Sequence, residues 1–244
     1  MDVPSEFKHF HNLIGKLTSK HDLPRVFDDW MEYIVMGHLT DKSMKWEKSY
    51  TKSDIKVLWE MYTEFVQVMN KKLVSDKDWF DFPGSYYEPC ISTPYQREKS
   101  GQFFTPPEIC KLMAMLNLGS SNLQPGMRVN DPTAGSGRNL LAVHVLRPGC
   151  YMVAEDIDYS CVLMCLINFL VHGVVGEVIW HDTLTQDFFG AWKVNETLNT
   201  MGFPSIRSLP EEEYNLSRMV MENTENAILT INKPTKQSPL EGFK

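Results

Sequence analysis

The chain has no apolar run long enough to cross a bilayer. Its first residues, with Asp2, Glu6 and Lys8 scattered through them, carry neither the basic nor the apolar region of a secretory signal. A cytoplasmic protein without membrane contact is expected. The five cysteines, Cys90, Cys110, Cys150, Cys161 and Cys165, are odd in number and contain no C-x-x-C pair, which argues against a disulfide framework and against a zinc site. Cys161 and Cys165 stand four apart on one face of an expected helix, a spacing that suits small core residues better than a redox pair. Positive charge is also scarce: the formal net charge is −7, with 14 Lys and Arg against 16 Asp and Glu up to residue 99 and 10 against 15 beyond it. Neutralisation of phosphates by Lys and Arg dominates affinity for nucleic acid, so DNA contact needs a local patch or a partner chain.

What the chain does have is 244 residues and 43% hydrophobic content, enough for one medium domain with a smaller one appended. Residues 1–98 read as a helical N-terminal domain. Phe7, Phe10, Leu13, Ile14 and Leu17 recur at spacings of three and four, as do Phe27, Trp30, Met31, Ile34 and Val35. A longer helix is expected from Ser53 to Leu73, with Ser53 as its cap and Ile55, Leu58, Trp59, Tyr62, Phe65, Val66 and Met69 as a broad apolar face. Lys42, Lys45, Lys48, Lys52 and Lys56 form a ladder interrupted by acids, which fits a solvated face or, more sharply, a phosphate-contacting strip. Residues 75–100, with Pro83, Gly84, Pro89 and Pro94, are expected to form an irregular connection that holds the stretch D-F-P-G-S-Y-Y-E, Asp81 to Glu88.

Residues 99–244 alternate short apolar runs with helical patterns. In G-Q-F-F-T-P-P-E-I, Thr105 is the expected N-cap, Pro106 the first helical residue and Glu108 the end of a capping box, with Ile109, Leu112, Met113 and Leu116 as the buried stripe. Met127 to Asp131 reads as a strand and Asn139 to Val145 as a helix. Between them lies D-P-T-A-G-S-G, Asp131 to Gly137, whose two glycines let backbone approach a ligand without a Cβ in the way. An ordinary strand-to-helix turn fits the same residues, and Leu140 stands where the dinucleotide fingerprint has its third glycine, which counts against a pyrophosphate site. Tyr151 to Asp158 and Val174 to Trp180 supply two more strands, the second followed by His181, Asp182, Thr183 and Leu184; Asp158 can cap the helix between them. Strand–helix alternation of this kind implies parallel pairing with a crevice at the strands' carboxyl ends, where Asp131, Asp156 and Asp182 would meet. Asp156 lies where an acceptor for ribose hydroxyls is wanted and Asp182 where one for an adenine amine is wanted, so an adenosine-bearing ligand is expected.

These motifs resemble those of the N6-adenine DNA methyltransferases of the type I modification-subunit kind. G-Q-F-F-T-P is similar to the family's first cofactor motif and D-P-T-A-G-S-G to its glycine-rich one. A-E-D-I-D, Ala154 to Asp158, is similar to the ribose-binding strand end, L-I-N-F-L-V-H-G to the helix after it, and H-D-T-L to the adenine-amine motif. D-F-P-G-S-Y-Y-E resembles the link from the family's helical domain to its catalytic one. The resemblance implies a Rossmann-like, S-adenosylmethionine-dependent α/β core with a truncated sheet, preceded by the helical domain. It also implies S-adenosylmethionine held by Gln102, Phe104, Thr105, Pro106, Asp131, Thr133, Gly135, Ser136, Gly137, Asp156, Ile157, Asp182 and Thr183. Within that set Asp131 faces the methionine amino group, Ile157 packs on adenine and no residue holds a metal. DNA and a specificity or second methyltransferase subunit are the implied partners. The family's catalytic Asn or Asp, two prolines and an aromatic residue do not occur as a tetrapeptide here. Asn232 and Pro234, after the apolar run Ala227 to Ile231, are the degenerate remainder of that motif or part of a terminal strand and its tail. On this count the chain is expected to be inactive alone, completed by a partner chain, or an interaction module.

Overall fold

The computed structural model describes residues 3–41, 44, 46, 48–75, 77–92, 104–119, 123–216 and 218. The chain divides into two compact units, Met1–Ser208 and Leu209–Lys244. In the first, a 3-10 turn at Ser5–Phe7 leads into α1 (Lys8–Gly15), α2 (Leu23–Gly37) and α3 (Lys52–Lys72). The ten apolar residues picked out by spacing in the first two helical stretches are all buried, each such side chain contributing about 1.5–3 kcal/mol to folding. On α3 the face is narrower than the sequence implies. Leu58, Met61, Phe65, Val68 and Met69 are buried, whereas Trp59 is 56% exposed and Val66 also faces water. The cap is Thr51 rather than Ser53: Thr51 accepts the Asp54 N–H at 3.3 Å and Asp54 accepts the Thr51 N–H at 2.9 Å. Such a box needs an acceptor three residues on, which Thr51 has in Asp54 and Ser53, followed by Lys56, does not. In the basic ladder, Lys48 closes onto Asp29 and Glu32 at 2.9 Å each, while Lys42 and Lys45 lie outside the described residues.

The connection expected to be irregular contains a helix, α4 (Phe82–Cys90). Asp81 caps it by accepting the Gly84 N–H at 2.8 Å, and Pro83 falls in the first turn, where no N–H is needed. Phe82 then meets the rings of Phe7, Phe10 and Phe65 edge-on at 5.1, 5.1 and 5.0 Å, at the centre of the helical core. The boundary expected near residue 98 falls outside the described residues.

Next come α5 (Pro107–Gly119), β1 (Arg128–Asp131), α6 (Arg138–Leu146), β2 (Tyr151–Asp156), α7 (Tyr159–Val171), β3 (Gly176–His181), β4 (Phe188–Val194), the short α8 (Leu198–Met201) and β5 (Ile206–Ser208). The sheet order is β1-β2-β3-β4-β5. β1, β2 and β3 pair in parallel through helical crossovers, with Asp131 opposite Ala154 and Asp156 opposite Trp180. Among the described residues this is a Rossmann-like α/β core with a five-stranded sheet. Phe188, Phe189 and Trp192 lie on β4, which runs antiparallel to β3, and β5 runs antiparallel to β4. Asn195 anchors the connection that follows, its amide donating to the carbonyls of Phe169 and Leu170 in the last turn of α7 and of Val174 beyond it.

α7 is buried from Cys161 to Leu170 because α2 packs on it as well as β2 and β3. One continuous cluster of buried apolar side chains therefore joins the N-terminal helices to the sheet. On α5 the buried row is the small one, Cys110, Ala114 and Leu118, which sits against Ala142 of α6. Ile109, Leu112, Met113 and Leu116, the expected stripe, are 43–69% exposed, and so is Met115 at 54%. Helices approach closely through small side chains, and here that preference decides which of two apolar faces turns inward. In the second unit Leu209 and Tyr214 are buried, and Arg218 donates to the Tyr214 hydroxyl at 2.9 Å. No helix among the described residues is long and apolar enough to cross a membrane.

The packing of α2 on α7 brings Asp28 to Ser160 and Asp158. Burial pushes the Asp28 carboxyl up to about 6, with the Asp158 charge adding to the shift and the Ser160 hydrogen bond opposing it. A carboxyl that prefers its proton in the folded state takes one up on folding, so stability falls as pH rises from about 4 through about 6. Asp28→Asn should stabilise the chain by on the order of 1–3 kcal/mol at pH 8 in urea unfolding and give no gain at pH 4. An equal gain at both pH values would show that Asp28 is already ionised in the fold.

Candidate functional site

The turn between β1 and α6 is built by its glycines. Gly135 and Gly137 have φ of 56° and 88°, left-handed values that side chains rarely adopt. A Cβ on Gly137 would also stand 2.8 Å from Cys165 Sγ, so α7 presses directly on the bend. The bend's N–H groups turn inward: Thr133 donates to Asp131 Oδ1 (3.2 Å), Ala134 to the Glu155 carbonyl (2.9 Å), Gly135 to Asp156 Oδ2 (2.8 Å) and Gly137 to the Ala134 carbonyl (2.8 Å). Those donors are thus committed to the protein and do not form the cluster that a phosphate would need.

Parallel pairing puts the three strand-end acids along one rim. Asp131 also accepts from Asn139 Nδ2 at 3.2 Å, and Asp156 accepts the Asp158 N–H at 2.9 Å as well as that of Gly135. Burial raises the pKa of Asp156 against the pull of these two donors. Asp158, not Asp156, caps α7 by accepting from Cys161 N–H at 3.0 Å. Asp182 is more exposed; it accepts the N–H groups of Leu184 (2.8 Å) and Thr185 (3.2 Å), which hold its carboxyl below the usual range. Thr183 ties this loop to the bend by donating to the Pro132 carbonyl at 2.9 Å. Asp131 and Asp156 therefore share one bend, and Asp182 joins them through Thr183.

Around the acids, Ile157 stands 58% exposed, its carbonyl fixed by Trp180 Nε1 at 3.0 Å. Tyr159 and Phe189 pack on the Trp180 ring at 4.6 and 5.3 Å, forming an aromatic wall beside Ile157. The Phe104 ring lies over Gly135, about where a Cβ there would come within 3.1 Å of it. Pro106, expected inside the helix, is the residue before it, and its carbonyl accepts from the N–H groups of Ile109 and Cys110. Thr105 contributes its carbonyl, which accepts from Arg138 Nη1 at 3.3 Å. Ser136 is 1% exposed and donates its hydroxyl to Asp81 at 2.6 Å. Gln102, Asn232, Pro234 and the run from Ala227 to Ile231 lie outside the described residues. The sequence reading missed Asp81, Arg138 and Asn168, which converge behind the bend, and the pair formed by buried His181 with Glu155, Nε2 to Oε2 at 2.5 Å. Only the proximity of D-F-P-G-S-Y-Y-E to the cofactor motifs signalled the first group, and nothing in the sequence signalled the second.

Chemically the rim is rich in acceptors and poor in open donors. It suits a ligand that brings its own donors and positive charge: ribose hydroxyls, an exocyclic amine, an ammonium group. Cavities of about 420 Å³ among Tyr33, His38, Trp46, Trp59 and Tyr62, and of about 470 Å³ around Arg128, His144 and Tyr151, are lined by none of the three acids. The case for the rim rests on its chemistry.

A family model described as N-6 DNA Methylase matches residues 77–215, more than half of the chain. No curated protein matches. Among solved structures, the methyltransferase subunit of a type I restriction-modification system from Streptococcus thermophilus is similar at a TM-score of 0.39 and 20% identity. The similarity covers 73% of this chain and 40% of that one, so the chain spans less than half the length of that subunit.

The pressure of α7 on the bend can be measured by comparing two left-handed glycines. Gly126, at φ 86° with nothing within 4 Å of its added Cβ, should lose about 1–2 kcal/mol on substitution by alanine, whereas Gly137→Ala should lose on the order of 2–4 kcal/mol because Cys165 must also move. Equal losses in urea unfolding would show that Cys165 does not constrain the turn.

Proposed function

The chain belongs to the N-6 DNA methylase family, and from that premise we propose that its α/β half binds S-adenosylmethionine within an adenine-N6 DNA methylation system of the restriction-modification type. The observation that carries this reading is the acceptor-rich rim, where Asp131, Asp156 and Asp182 line parallel strand ends and the neighbouring backbone donors are turned inward. That rim disfavours a phosphate-bearing dinucleotide and favours a ligand with a sulfonium, an ammonium, two ribose hydroxyls and an adenine amine. In this reading Asp156 accepts from the ribose hydroxyls, Ile157 packs on the adenine ring, and Asp182 with Thr183 takes its amine. Asp131 accepts from the methionine ammonium. Phe104, Thr105, Pro106 and Gln102, with Thr133, Gly135, Ser136 and Gly137, shape the methionine end. The cofactor, when bound, supplies an activated methyl group. These contacts fall in the proposed domain 99–244, with the proposed helical domain 1–98 packed against it through α7.

Holding the cofactor is not transfer. An amine nucleophile needs acceptors for its hydrogens and a surface on which the flipped base stacks. The sequence has no Asn or Asp, Pro, Pro, aromatic run to provide them. We therefore assign cofactor binding to this chain and no methyl transfer to the chain alone. In calorimetric titration with S-adenosylhomocysteine, wild type should bind and Asp156→Ala should bind at least about tenfold more weakly, the equivalent of one lost charge-assisted hydrogen bond. Absence of binding by wild type would end the cofactor reading.

A second reading, completion of the enzyme by a partner polypeptide, is favoured by a separate observation. The outer edge of β1 is unpaired among the described residues, and the exposed row Ile109, Leu112, Met113, Met115 and Leu116 forms an apolar face on α5. An apolar row of this kind marks an interaction surface. The partner in this reading is a specificity or second methyltransferase subunit, and DNA is reached through it. Tritiated-methyl transfer to adenine-containing DNA should appear only with such a subunit present. The double change Leu112→Glu, Leu116→Glu should abolish it while cofactor affinity and urea stability stay within about twofold and 0.5 kcal/mol of wild type. Inactivity with every partner would reject completion.

A further inference from the structure

Behind the glycine bend, away from the three acids, lies an ion pair that the proposed cofactor contacts do not use. Asp81, 1% exposed, receives four donors: Gly84 N–H and Asn168 Nδ2 on Oδ1, both at 2.8 Å, and Ser136 Oγ and Arg138 Nε on Oδ2, both at 2.6 Å. The fit is close enough that a Cβ on Gly84 would fall 2.1 Å from Asp81 Oδ2. Arg138, 4% exposed, uses its remaining two nitrogens on different segments. Nη2 donates to Glu88 at 2.9 Å, and Nη1 donates to the Thr105 carbonyl at 3.3 Å. The guanidinium also stands 5.3 Å from the centre of the Phe104 ring, which Tyr87 flanks at 5.9 Å and which covers Gly135. Burial opposes the charge on Arg138, but Asp81 and Glu88 outweigh it and raise its pKa, so the group is a cation at all working pH.

A buried ion pair of this kind is weak evidence of stabilisation, since apolar residues of the same volume often do as well. What an apolar residue cannot do is point three hydrogen bonds at three separate positions, both ends of α4 and the Thr105 backbone. The planar fork of arginine reaches the α4 cap, the end of α4 and the Phe104–Thr105 backbone at once, which lysine, a point charge, cannot reproduce. We propose that Arg138, held by Asp81 and Glu88, is a positioning residue that sets the Phe104–Thr105 segment over the glycine bend and acts on a bound ligand only through that segment. The part of this proposal that concerns the ligand rests on the cofactor-binding reading above; the part that concerns the segment does not.

The experiment uses the full chain as wild type, Arg138→Lys and Glu88→Gln, and takes three measurements: amide hydrogen exchange by peptide without ligand, urea stability, and affinity for S-adenosylhomocysteine. Arg138→Lys keeps a cation for Asp81 but gives up the reach to Thr105. Exchange in peptides covering residues 104–110 should rise by about tenfold while peptides from β2 and β3 stay protected. Cofactor affinity should fall by about tenfold in parallel. Glu88→Gln leaves the Asp81 pair intact and weakens one anchor, so it should give the same pattern at smaller amplitude, and it supplies the comparison if Arg138→Lys does not fold. Unchanged exchange at 104–110, or an increase spread evenly through β2 and β3, would reduce Arg138 to a structural ion pair and overturn the proposal. If wild type takes up no S-adenosylhomocysteine yet the segment still loosens, the positioning role stands and the cofactor reading fails.

Discussion

A carboxylate cut off from water must find donors for both oxygens or carry the full cost of its lost hydration, and Asp81 finds four. Each donor belongs to a different part of the chain: the first turn of α4, the glycine bend, the first turn of α6 and the middle of α7. None of these can shift without leaving a buried charge short of a partner. The helical region and the sheet are consequently joined in two ways, by the apolar cluster that runs through α2 and α7 and by this single polar node. The apolar cluster sets how strongly the parts hold together; the polar node sets their register, because hydrogen bonds are directional and apolar contacts are not.

With the bend fixed from behind, its front is shaped by what the backbone does with its own donors. Thr133, Ala134, Gly135 and Gly137 all direct their N–H groups at protein acceptors, two of them at the carboxylates of Asp131 and Asp156. A glycine-rich turn is commonly a phosphate cradle, yet here the same geometry produces an anionic, acceptor-lined surface. The difference lies in the acids at the strand ends, which capture the donors first. Asp156 remains partly desolvated while it does so, and burial raises its pKa against the pull of its two N–H donors. An acceptor left short in this way gains most from a ligand that brings hydroxyl or ammonium donors.

How much of this was legible depended on the range of the interactions. Local periodicity placed α1, α2, β1, β2 and β3, and the Asp158 cap was readable because an N-cap and its partner are three residues apart. The α5 face was misread for a physical reason: Cys110, Ala114 and Leu118 have the same helical spacing as the larger row beside them, and only the close approach of Ala142 on another helix decides between the two. The pairing of β4 is not legible locally, because it depends on a partner strand that Phe188, Phe189 and Trp192 after a polar loop do not name. Asp81 and Arg138 are 57 residues apart. A helix cap and a first-turn arginine each look ordinary alone, and their meaning comes only from meeting.

The same distinction between holding and acting applies to the function. Every feature that the fold places with care, the inward donors, the strand-end acids, the wall of Tyr159, Trp180 and Phe189, serves to hold and orient a nucleoside-like ligand in the proposed reading. None of them offers the pair of acceptors that would draw hydrogens from an amine approaching the methyl group. The sheet does show where such groups would have to come from. β3 is flanked on its far side by antiparallel β4, so among the described residues a strand that pairs in parallel with the β1-β2-β3 set has only the outer edge of β1 to join. A strand laid parallel on that edge would end next to Asp131, and a loop at its end would stand over the methionine side of the proposed cofactor, where transfer must happen. Among the described residues the outer edge of β1 beside the rim is unpaired and the apolar row of α5 is exposed, two surfaces on which a further strand could pack in the proposed reading.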